Sequence, residues 1–146
     1  MRHPLRFMPD RAPDRHAVRL LLVEDDAGDA LLTRELLLDA GLDMALGRTM
    51  NLADAEAGAA SEADCVLLDL GLPDAGGLDA LTRLREAAPA TAIVVLTGLD
   101  DDARRASALQ AGAEDYIVKG SVEGEHLAAA VSTAIERRRR ARAGEG

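Results

Sequence analysis

The sequence predicts an α/β fold, doubly wound about a parallel sheet, and three observations carry that expectation. Short apolar runs alternate with longer segments of helical period from Val18 onward, as repeated βα units do. Runs such as LLLV and IVVL have no polar face, which suits strands covered by helices on both sides. Polar residues gather where those runs end.

The first strand is VRLLLV, ending at Val23. The helix after it, DALLTRELLLDAGL, takes its amphipathic period from Leu31, Leu32, Glu35, Leu36 and Leu38 and stops at Gly41. MALGRT is the second strand, and LADAEAGAASEA is an Ala-rich helix leading to the third strand, Cys65 to Leu68. The turn GLPDAGG follows, then a helix LDALTRLREAA closed by Pro89. TAIVVLT is the fourth strand, and DDDARRASALQAGA the fourth helix, its acidic first turn suited to the positive end of the helix dipole. DYIVK is the fifth strand. The last helix, EGEHLAAAVSTAIERRRRAR, aligns Leu127, Val131 and Ile135 in one stripe, and its Arg-rich end suits the dipole's negative pole.

A chain of 146 residues has room for one domain, expected over residues 18–140. The Pro- and Arg-rich residues 1–17 are expected to be a disordered tail, and residues 141–146 a second, short one. The net charge of -9 argues against binding nucleic acid over a broad face or lying on a membrane surface. No apolar stretch approaches ~18 residues, so a cytoplasmic protein with no membrane span is expected. The single cysteine, Cys65, sits within an apolar run as a core residue and permits no disulfide, in keeping with a reducing compartment.

In an open parallel sheet, ligands bind outside the carboxyl ends of the strands. Those ends carry Glu24, Asp25 and Asp26 after the first strand, Asp69 after the third, Thr97 at the fourth and Lys119 at the fifth. Singly, each has an ordinary reading: a helix cap, a loop hydroxyl, a solvated ammonium. Brought into one crevice, the carboxylates would raise one another's pKa unless a cation neutralised them. Oxygen donors of this kind favour Mg2+ completed by a phosphate. Lys119 can pair with Asp69 or with a phosphoryl oxygen, and Thr97 can donate to another. The set suits a carboxylate nucleophile that accepts a phosphoryl group, with metal and Lys119 offsetting its charge.

The segments LLLVEDD, VLLDLGLPDAGGLDAL, VVLTG and AGAEDYIVKG resemble the receiver domain of two-component response regulators, from about Val18 to about Arg140. The resemblance implies a five-stranded sheet in the order 2-1-3-4-5 with five helices. It implies Asp69 as phospho-acceptor, with Glu24, Asp25, Asp69 and the backbone carbonyl of Gly71 as ligands of Mg2+; Asp26 falls one place past the acidic pair. It implies a switch in which Thr97 turns toward the phosphoryl group and Tyr116 moves inward behind it. Read alone, Tyr116 fits equally well an apolar body with a wet hydroxyl at a sheet edge. The phosphodonor is a sensor histidine kinase or a histidine phosphotransfer protein, and the responding face, helix 4, strand 5 and helix 5, meets a downstream protein target or a second copy in a homodimer. Such a chain is a phospho-acceptor signalling protein, not an enzyme with turnover.

Two features depart from the family pattern. Gly120 follows Lys119 where Pro is usual, so a trans peptide is expected there. Only AGEG follows the last helix, so the chain is expected either to act by binding alone or to be the receiver portion of a longer effector. Other classes fit less well. EDDAGD puts acids where a dinucleotide's pyrophosphate would sit. A dehalogenase-type hydrolase resembles a DxD pattern, and position 71 is Gly. RRRRAR reads as a solvated helix end before it reads as a DNA contact. His3, His16 and His126 lack metal-ligand spacing. A phosphorylation-independent adaptor is the remaining alternative, and the intact set of acids, Thr97 and Lys119 argues against it.

Overall fold

The computed structural model describes residues 7–9 and 17–145. Its strands are β1 (Phe7–Pro9), β2 (Val18–Val23), β3 (Met44–Thr49), β4 (Cys65–Leu68), β5 (Ala92–Thr97) and β6 (Asp115–Val118). They form one sheet in the order β1-β3-β2-β4-β5-β6. β2 to β6 pair in parallel and are the five strands expected; counted among themselves they stand 2-1-3-4-5. The helices are α1 (Ala27–Asp39), α2 (Leu52–Asp54), α3 (Gly77–Ala87), α4 (Asp102–Gln110) and α5 (Gly124–Glu145).

Successive strand residues point to opposite faces, and both faces are dry. Leu21, Val66 and Ile93 pack toward α3 and α4 with Leu81, Leu84 and Ala108. Leu20, Leu67 and Val94 pack toward α1 and α5 with Leu37, Leu127 and Val131. Two-sided burial explains why the apolar runs are continuous instead of alternating. Cys65 is a buried free thiol whose pKa burial pushes up. Among the described residues no helix is long and apolar enough to cross a membrane.

Four expectations need correction. The segment taken as a disordered tail contributes β1, antiparallel to β3 with Phe7 opposite Gly47 and Pro9 opposite Ala45. An edge strand presents unpaired backbone groups, and this short strand covers those of β3. The rest of that expectation, on residues 1–6 and 10–16, lies outside the described residues. At the other end α5 continues to Glu145, so residues 141–145 are helix and not tail; Ala and Arg there are strong helix formers. The Ala-rich helix is not continuous. Beyond Asp54 it widens over Ala55–Ala59, where Gly58 has φ of 142°, and tightens over Ala60–Glu62. Finally, α1 buries Ala30, Thr33 and Leu37, whereas Leu31 and Leu32 are each 57% exposed. With leucines on several sides of that helix, periodicity alone does not select the inward face.

Gly124 opens α5 where the chain passes α1. A Cβ there would run into the carbonyl oxygen of Leu36. Gly124→Ala is expected to cost about 1–3 kcal/mol by overpacking, seen as a lower urea midpoint with an unchanged m-value.

Candidate functional site

Backbone bonds carry the sheet register into the residues just past the strands. The Glu24 N–H donates to Thr49 O at 3.0 Å, the Asp69 N–H to Val23 O at 3.1 Å and the Lys119 N–H to Thr97 O at 2.7 Å. The ends of β2, β4 and β6 thereby deliver Glu24, Asp69 and Lys119 to one crevice, the usual ligand position of an open parallel sheet.

Glu24, Asp25 and Asp69 each offer a carboxylate oxygen, and the three lie within 4.8 Å of one another. Glu24 is 1% exposed and Asp69 9%, while Asp25 is open to solvent. Burial pushes the Glu24 carboxyl up to about 7; the Lys119 hydrogen bond pulls it back and the neighbouring Asp69 pushes it further up. All the donors are hard oxygens, a set that fits Mg2+.

Lys119 Nζ donates to Glu24 Oε1 at 2.5 Å, Asp29 Oδ2 at 3.0 Å and Asp69 Oδ2 at 3.4 Å. An ammonium has three N–H donors, and each here faces a carboxylate. Burial alone would lower the Lys119 pKa, but the Glu24 and Asp29 hydrogen bonds and the Asp69 charge outweigh it and hold the ammonium above its usual range. With three carboxylates against one ammonium, the proton between Glu24 and Lys119 rests on the amine. Burial therefore shows as the cost of ionising Glu24.

The remaining expected residues fall around this centre. The Gly71 N–H donates to Asp69 Oδ1 at 3.0 Å and fixes that carboxylate's orientation. Asp26 is the N-cap of α1, accepting from the Asp29 N–H. Thr97, 6% exposed, accepts from the Leu99 N–H at 3.4 Å. The Tyr116 hydroxyl donates to the Leu99 carbonyl at 2.7 Å, with the residue 1% exposed. Thr97 and Tyr116 thus meet on one loop residue. Arg105 lies 4.9 Å from the Tyr116 ring centre and donates to the Tyr116 carbonyl at 2.6 Å. Among the described residues no peptide is cis, and Gly120, at φ of 84°, turns the chain just after Lys119 in a region a side chain would strain.

Three participants were not singled out from sequence. Asp29 touches Lys119; its place in the first turn of α1 reads as a dipole partner. Arg48 Nε donates to the Glu24 carbonyl at 2.9 Å. Asp74, in the loop past Asp69, accepts from the Leu52 and Ala53 N–H groups at 2.9 and 3.0 Å. Those backbone bonds hold its carboxyl below the usual range.

The response regulator receiver domain family matches residues 20–132. The chain belongs to that family. Receivers are signalling domains of two-component systems, and response regulators pair with histidine kinases or phosphotransfer proteins. This receiver is 33% identical over 113 residues to the cell cycle transcriptional regulator CtrA of Caulobacter vibrioides, a match covering 76% of this chain and 48% of CtrA. It is 29% identical over 101 residues to the chemotaxis protein CheY of Thermotoga maritima, covering 69% of this chain and 84% of CheY. The CheY-like receiver domain protein from Methanospirillum hungatei superimposes with a TM-score of 0.70 at 22% identity, covering 85% of this receiver and 98% of that chain; the likeness is one of fold. The receiver spans about half the length of the transcriptional regulator it matches, 48% of CtrA.

Proposed function

We propose that this receiver takes a phosphoryl group onto Asp69 from a sensor histidine kinase or a histidine phosphotransfer protein, with Mg2+ required. The observation that supports it best is the Asp69 carboxylate 3.4 Å from Lys119 Nζ, beside Glu24 and Asp25. An Asp69 oxygen attacks phosphorus; a P–O bond forms as the donor's P–N bond breaks, and the leaving imidazole keeps the electron pair and takes up a proton. Lys119 offsets charge on the transferring oxygens. Glu24, Asp25 and Asp69, with the Gly71 carbonyl, would hold Mg2+, which supplies positive charge beside the phosphoryl oxygens when bound. Thr97 turns to donate to a phosphoryl oxygen. Its movement reaches Tyr116 through Leu99, and the face made of α4, β6 and α5 changes for a downstream protein or a second copy of the chain. The setting is cytoplasmic.

The test is the intact mass of the wild-type protein after incubation with acetyl phosphate, with Mg2+ or with a chelator. One phosphoryl adduct is expected, and only with Mg2+. No adduct from acetyl phosphate or from a phosphorylated kinase would leave the adaptor reading, in which binding proceeds without phosphate. A second reading, the receiver portion of a longer effector, is favoured by the 48% coverage of CtrA.

A further inference from the structure

We infer that Asp29 is a positioning residue of this receiver: it holds the Lys119 ammonium toward α1, and release of that hold helps set the rate of phosphoryl transfer to Asp69. The inference rests on the reading of Asp69 as acceptor.

The backbone around Asp29 is pinned on both sides. Its N–H donates to Asp26 Oδ1 at 2.9 Å, and its carbonyl accepts from Thr33 Oγ1 at 2.9 Å. Thr33 is 5% exposed, so this first turn is anchored in the core. From that fixed turn Asp29 Oδ2 reaches Lys119 Nζ at 3.0 Å, closer than Asp69 at 3.4 Å. The Lys119 side chain is 18% exposed and its three donors are committed to Glu24, Asp29 and Asp69.

A phosphoryl group on Asp69 adds acceptor oxygens on the side of Lys119 that Asp69 occupies. The donor that faced Asp69 at 3.4 Å turns to one of them, and bonding a further oxygen requires the ammonium to yield another partner. Glu24 is 1% exposed and belongs to the group that would hold Mg2+, whereas Asp29 lies outside that group and goes on competing with the phosphoryl oxygens for the ammonium. The Asp29 side chain is 48% exposed, so water can replace the ammonium there. Asp29 is therefore the contact that yields, and its hold belongs to the ground state. Removing such a contact raises the rate at saturating donor without a matching change in half-saturation.

The experiment follows phosphorylation of wild type, Asp29→Asn and Asp29→Glu by intact mass over a series of acetyl phosphate concentrations with Mg2+. In this step the acetyl O–P bond breaks, the Asp69 O–P bond forms and acetate leaves. Asp29→Asn is expected to raise the saturating rate roughly 2- to 5-fold, the size of a half-exposed ion pair, with half-saturation unchanged. Asp29→Glu, which keeps the charge, should return the wild-type rate. Urea unfolding of Asp29→Asn, Lys119→Met and the double variant in chelator supplies a readout without transfer, and non-additive midpoints are expected. An unchanged saturating rate overturns the inference. So does an effect confined to half-saturation, which would mean simple repulsion between Asp29 and an anionic donor. Wild type that forms no adduct removes the acceptor reading and this inference together, whereas wild type that forms one while Asp29→Asn behaves identically removes this inference alone.

Discussion

Asp69→Asn is expected to abolish the phosphoryl adduct, a loss of about three orders of magnitude or more in rate, as removal of a nucleophile commonly is. The amide keeps the shape of the carboxyl and an oxygen for the Gly71 N–H, which donates to Asp69 Oδ1 at 3.0 Å. What it lacks is the negative charge that makes a carboxylate oxygen an effective nucleophile. The variant should stay folded. In chelator it should melt higher than wild type, because one of three carboxylates within 4.8 Å has gone. It should also gain less from Mg2+. Intact mass and paired thermal melts check all three statements. An adduct that persists in Asp69→Asn would move the acceptor to Asp25 or Asp26.

Glu24→Gln carries the second large effect, and its sign depends on pH. The Glu24 carboxyl sits at about 7 in the fold against an ordinary 4.5, chiefly through burial. A raised carboxyl pKa means that the folded chain holds this proton more tightly than the unfolded chain does. The associated stability is complete below about 4.5 and is lost as pH rises through about 7. In chelator, wild type should therefore lose about 1–3 kcal/mol between pH 5 and 8, and Glu24→Gln should flatten that slope. Added Mg2+ reverses the comparison, because ionised carboxylates bind it and protons compete. Wild type should then gain stability with Mg2+, more at pH 8 than at pH 6, while Glu24→Gln gains little. Thermal denaturation at three pH values with and without Mg2+ decides it. A wild-type melting temperature that rises from pH 5 to 8 in chelator would contradict a burial cost at Glu24 larger than its pairing with Lys119.

β4 and β5 were legible because each is a short run buried on both sides, with Asp69 just past one and Thr97 at the end of the other. β2, β3 and β4 begin and end where the sequence places them. Helix faces were harder to read. Leu31 and Leu32 look like core beside Leu36 and Leu38, yet the helix turns Ala30, Thr33 and Leu37 inward. Gly58 interrupts an Ala-rich segment whose composition speaks only for helix. β1 lies among Pro and Arg residues, and its pairing depends on the open edge of β3, which no local pattern records. At the candidate site, Glu24, Asp25, Asp69 and Lys119 could be paired in advance because strand ends converge. Asp29 could not: it comes from a helix, and only the rotation of α1 over the sheet sets it against Lys119.

The buried ring under Arg105 also has a spectroscopic consequence. The chain has one tyrosine and no tryptophan, so its tyrosine emission comes from Tyr116 alone. That chromophore is 1% exposed, hydrogen-bonded to the Leu99 carbonyl and overlaid by a guanidinium. Acrylamide quenching and phenol absorbance on the unlabelled protein therefore report the surroundings of a single residue. Any loosening of the loop that joins Thr97 to α4 can be timed by light, with no dye attached and no residue replaced.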